Sequence, residues 1–118
     1  MQTYSRKIKR MLNQYLAEAY ERDLHRELTK LDQSFTEWRE GNISSRELSQ
    51  RIHQYERGPS RELFEQYNHG PADMSVAYAI VVGLLDANEV PAELLEALSR
   101  PIGFYQSLKD RGDLRERD

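Results

Sequence analysis

Between residues 5 and 40 the chain holds neither proline nor glycine, and its apolar residues recur at the spacing of a helical face. Ile8, Leu12, Tyr15 and Ala19 step by 4, 3 and 4 residues. Leu24 follows after a step of 5, and Leu28, Leu31, Phe35 and Trp38 then step by 3, 4 and 3, a heptad-like stripe. The pattern predicts one helix of about ten turns, roughly 50 Å long. The wide step at 19–24 predicts a bend or a change of partner near residues 21–23. Acid–base spacings along the helix are mixed: Glu18 and Arg22 can pair, whereas Arg22–Arg26 and Asp23–Glu27 repel. Packing, not ion pairing, must hold such a helix.

Gly41 is placed to end it in a left-handed conformation. Ser44 and Glu47 then form a capping-box pattern, with Ile43 and Leu48 as the hydrophobic staple. A helix is expected over 45–57, with Leu48, Ile52 and Tyr55 inward, stopped by Gly58-Pro59. A shorter helix over 61–68 carries Leu63, Phe64 and Tyr67 and is closed by His69-Gly70-Pro71. Asp73 is the expected cap of a helix over 74–87. There the β-branched run at 76–82 competes, since Val and Ile favour strands. A lone strand cannot satisfy its backbone hydrogen bonds, so the segment reads as a buried central helix, apolar on all sides. Gly83 would let a neighbouring helix approach closely. Pro91 opens a helix through residue 99 with Leu94, Leu95 and Leu98 inward, and Pro101 restarts one carrying Ile102, Tyr105 and Leu108.

The fold expected is therefore all-α: a long N-terminal helix followed by about five shorter helices in an irregular bundle. Residues 1–110 form one helical domain, and 111–118 a polar, disordered tail. At 118 residues the chain has the length of one domain. With no cysteine it has neither a disulfide framework nor a thiolate metal site. Charged residues are 31% and hydrophobic ones only 38%, a balance typical of long solvated helices. The longest apolar stretch, 76–85, is too short to span a bilayer, and the basic start lacks the apolar core of a secretory signal. A cytoplasmic protein without membrane contact is expected.

Net charge is −3, unevenly spread. Arg6, Lys7, Lys9 and Arg10 cluster at the start, while 71–99 carry Asp73, Asp86, Glu89, Glu93 and Glu96 with no Lys or Arg. Such polarity steers docking. The basic cluster is the cationic footprint a nucleic-acid-associated regulator would use. The helices 45–57 and 61–68 also resemble a helix-turn-helix in outline. Glu62 and Glu65 would repel phosphates from the second of these.

Candidate chemistry is sparse. Glu21–His25 and His53–Glu56 each share a helix face, but bundle metal sites need carboxylates from further helices, so no metal or cofactor is expected. Ser44, Ser45 and Ser60 sit where helix caps belong. The Arg111-Gly112-Asp113 triplet has no adhesive meaning in a chain of this character. The densest group of versatile side chains is His53, Tyr55, Arg57, Arg61, Glu62 and Tyr67 around Gly58-Pro59. It is the place for a ligand site, with His53, Arg57, Arg61, Glu62 and Tyr67 as its members. The leading functional expectation is a small helical interaction protein that homodimerises through Leu24, Leu28, Leu31, Phe35 and Trp38. Enzymatic function ranks last.

Overall fold

Ser5 starts the first element: its side-chain oxygen accepts the N–H of Ile8 at 3.2 Å, and α1 runs Arg6–Arg39 over 34 residues. In this computed structural model, which describes residues 3–115, α1 is the spine of the molecule. It ends as Gly41 predicts. Gly41 has φ of 80°, its N–H donates to the Trp38 carbonyl, and the Asn42 N–H reaches the Glu37 carbonyl.

Ser44 caps α2 (Ser45–Tyr55) by accepting the Glu47 N–H at 3.0 Å. Gly58-Pro59 then departs from expectation, because it does not stop the helix. Glu56–Ser60 form a single π turn that carries the chain into α3 (Arg61–His69), with right-handed helical angles at both Tyr55 and Arg61. A proline inside a regular helix removes a donor and presses its ring on the carbonyl four residues back. The wider turn accommodates both defects and leaves α2 and α3 as one rod.

The β-branched segment is helical: α4 spans Ala72–Val81, and among the described residues there is no strand. Two details correct the sequence reading. Asp73 is not the cap. It lies in the first turn, where one carboxylate oxygen accepts the Met74 N–H at 2.8 Å and the other the Tyr4 hydroxyl at 2.9 Å. The helix also stops at Val81 rather than 87, because Gly83 turns left-handed at φ 83° and donates to the Ile80 carbonyl. A methyl group on Gly83 would meet nothing within 4 Å, so backbone conformation, not a close neighbour, is what glycine serves there.

Asp86 and Glu89 form a capping box around a short 3₁₀ turn, Ala87–Glu89. After Pro91, α5 (Ala92–Ala97) and α6 (Ser99–Asp110) are separated only by Leu98, where the backbone leaves helical geometry. Pro101 therefore sits inside the first turn of α6, where it has no backbone bond to break. Beyond α6 the Tyr78 hydroxyl donates to the Arg115 carbonyl at 3.0 Å. Residues 116–118 of the expected disordered tail lie outside the described residues.

The core joins Ile8, Leu12 and Ala19 of α1 to Leu63, Tyr67, Val76, Ala79, Leu85, Leu94 and Leu98. Along α1 it reaches no further than Leu24. The second half of α1 continues past it beside the α2 rod. That gives a radius of gyration of 16.9 Å and a longest dimension of 53 Å. A compact chain of this length would have a radius near 13 Å. The molecule is a helical body with a protruding two-helix arm.

Candidate interaction surface

On the arm, α1 turns an unexpected line inward. Its buried residues are Ile8, Leu12, Ala19, Asp23, Glu27 and Ser34. The apolar stripe of Leu24, Leu28, Leu31 and Phe35 lies one residue further on, about 100° around the helix. So α1 presents polar groups to its partner rod and carries its leucines on the flank.

The buried polar line is served by specific partners. Asp23, 2% exposed, accepts from the Tyr67 hydroxyl at 3.0 Å. Glu27, 4% exposed, pairs with Lys30 at 2.9 Å. Arg51 of α2 reaches back to Ser34 at 3.2 Å and forms ion pairs with Glu37 and Glu47. Those carboxylate bonds hold its guanidinium even more firmly charged than usual. Glu27, Lys30, Ser34, Arg51, Gln54 and Pro59, with the apolar Leu31 and Tyr55, line an open groove of about 400 Å³ between α1 and the α2 rod. Its charged groups are already engaged, Glu27 with Lys30 and Arg51 with Glu37 and Glu47, so the groove is a structural seam.

The other side of the arm is apolar. Trp38 marks it by donating from Nε1 to the Ser45 hydroxyl at 3.0 Å. Tyr20, about five turns earlier and so at the same angle on α1, shares a hollow with Ser60 and Phe64. Between these limits lie Leu28, Phe35 and Ile52, with Leu31 at the border, where it also lines the groove. Leu28 is 47% exposed, Trp38 40%, Ile52 38% and Phe64 49%. Only Phe104 joins them among the exposed large hydrophobic residues described, and it belongs to α6. Leu24, Leu31 and Phe35 are half-buried, and Leu24 packs on the core. The body lies on the far side of α1, where Arg22 bonds the Leu84 carbonyl at 2.8 Å and Glu89 at 2.6 Å. The hydrogen bond from Arg22 depresses the Glu89 carboxyl below its ordinary range, with the Asp86 N–H assisting. The apolar face thus looks away from α4–α6, along the full back of the arm.

The group around Gly58-Pro59 does not converge. His53, Arg57, Arg61 and Glu62 are exposed on the outer face of the α2–α3 rod. Tyr67 points the opposite way, bonded to Asp23 and stacked on Tyr20 with ring centres 5.1 Å apart. Arg6, Lys7, Lys9 and Arg10 are all exposed at the start of α1, with Lys7 held by Glu93 at 2.8 Å. Among the described residues no three His, Asp or Glu side chains gather as metal ligands, and no helix is long and apolar enough to cross a membrane. What the sequence reading missed is the role of Asp23, Glu27, Ser34 and Arg51. The available signal was positional: 23, 27 and 34 continue the line of 8, 12 and 19 at steps of 4 and 7.

No protein-family model matches the chain, and no curated protein or solved structure shows significant similarity to it.

Proposed function

We propose that this protein is a small helical interaction module whose arm pairs with a second copy of itself. The observation that carries the reading is the concentration of Leu28, Trp38, Ile52 and Phe64 on one face, turned away from the body. Scattered apolar residues are ordinary on a surface, whereas an aligned set along two parallel rods is the signature of a docking face. Among the described residues no third layer covers the two-helix arm. A second arm would supply one, and a two-fold axis lets the same patch serve both copies.

Charge favours a like partner over nucleic acid. Residues 23–55 carry Arg26, Lys30, Arg39, Arg46 and Arg51 against Asp23, Glu27, Asp32, Glu37, Glu40 and Glu47. An arm so nearly balanced neither repels its copy nor draws a phosphate backbone.

Light scattering after gel filtration over a hundredfold concentration range tests the reading. The chain mass is 13.9 kDa, and the expected species has twice that. Leu28→Glu and Ile52→Glu are expected to return the protein to monomer with its circular dichroism unchanged. Leu12→Glu, a core substitution, is expected to unfold the body instead. Monomer at every concentration overturns the proposal.

A further inference from the structure

The spacing of the apolar stripe points to an antiparallel pairing of the two α1 helices with Leu31 on the two-fold axis; this rests on the dimer reading above. Relative to Leu31 the stripe occupies positions −7, −3, 0, +4 and +7 (Leu24, Leu28, Leu31, Phe35, Trp38). Reversed in direction, the same stripe reads −7, −4, 0, +3 and +7. The two patterns coincide at three positions and differ by one residue, about 1.5 Å, at the other two. Antiparallel helices centred on Leu31 thus set Leu24 against the partner's Trp38 and Leu28 against the partner's Phe35, with Leu31 meeting itself. Every layer is apolar, and each pairs a small side chain with a large one except the central one.

Electrostatics selects the same direction. Glu21 and Arg39 are 18 residues apart, hence at the same angle on α1 after about five turns, just outside the apolar stripe. Antiparallel pairing brings each Glu21 within two residues of the partner's Arg39, twice by symmetry. Parallel pairing would leave each Glu21 about 27 Å along the axis from the partner's Arg39, so the pair would not form. It would also align the two basic segments Arg6, Lys7, Lys9 and Arg10 side by side. In the antiparallel arrangement these segments sit at opposite ends of the dimer, and the two helix dipoles oppose rather than reinforce.

The chain has no cysteine, so an introduced thiol reports its own neighbour. A disulfide needs Cα atoms within about 7 Å. Leu31→Cys is expected to give a disulfide-linked dimer on mild oxidation. Leu24→Cys and Trp38→Cys are each expected to stay unlinked when alone, because each copy of residue 24 lies about 21 Å along the axis from the other. Mixed together, these two variants are expected to form the mixed disulfide. Linkage of Leu24→Cys alone would mean a parallel pair and overturn the proposal. So would failure of both Leu31→Cys and the mixture to link while scattering still shows a dimer. A monomer by scattering defeats the underlying dimer reading instead, and the two failures are told apart by that measurement.

Discussion

Tyr67 and Asp23, 44 residues apart in sequence, meet inside the protein through a 3.0 Å hydrogen bond from phenol to carboxylate. The bond joins α3 to α1 where the body gives way to the arm. Both residues are nearly inaccessible, and the Tyr67 ring is fixed by stacking on Tyr20. Tyr67→Phe would keep the ring and delete only the donor. Withdrawing a donor from a buried charged acceptor costs about 1–3 kcal/mol. Urea unfolding is expected to show a loss of that size at unchanged helix content. A loss below about 0.5 kcal/mol would mean that the remaining neighbours satisfy Asp23 without the phenol.

Alkaline pH offers a second test. Burial, the hydrogen bond to Asp73 and the charge of that carboxylate push the Tyr4 phenol from 10.0 to about 12. Tyr105 moves the same way, through burial first and then Asp73. A phenol with a raised folded value stabilises fully below its unfolded value and loses that contribution as pH climbs through the folded one. For Tyr4 the window therefore runs from 10.0 to about 12. Tyrosinate absorbance is expected to show a late-titrating component that Tyr4→Phe removes. The variant's stability should fall less steeply than the parent's across the same interval.

Two glycines should answer oppositely to alanine. Gly58 sits in the π turn with a right-handed backbone and open space where a methyl group would stand, so Gly58→Ala is expected to stabilise by about 0.5–1 kcal/mol through a less flexible unfolded chain. Gly83 adopts φ of 83°, where a side chain costs about 1–2 kcal/mol, so Gly83→Ala is expected to destabilise. Midpoints of chemical unfolding compare the two directly. Destabilisation by Gly58→Ala would mean that the wide turn draws on glycine's freedom.

The elements with local signals were legible in the sequence. Ser44 and Gly41 act through neighbours one turn away, and the long stretch without proline or glycine reads as α1. Helicity at 76–81 was also readable, because no other segment of the sequence reads as a strand to pair with it. The inward face of α1 was not. Hydrophobicity favours burying Leu24 and Phe35, yet the structure buries Asp23 and Ser34 more deeply, because the rod opposite supplies Tyr67 to the one and Arg51 to the other. That supply depends on a tertiary arrangement no periodicity encodes. The same holds for the grouping at 53–67: sequence nearness suggested convergence, but a continuous helix sends Tyr67 and Arg61 to different sides. The apolar stripe was recognised, but not that Ile52 and Phe64 extend its face.

The π turn at Glu56–Ser60 also changes the phase of everything after it. From Leu48 to Tyr55 the inward residues are 7 apart, two ordinary turns, whereas from Tyr55 to Leu63 they are 8 apart, and Tyr67 follows 4 later. An unbroken α-helix would have turned Glu62 and Gln66 toward α1 in place of Leu63 and Tyr67. Removing Pro59 would thus leave a longer, more regular helix and a ruined protein. Tyr67 would swing about 100° away from Asp23 and the core would receive a glutamate. One supernumerary residue, absorbed without a loop, lets two segments written in different frames share a single partner helix.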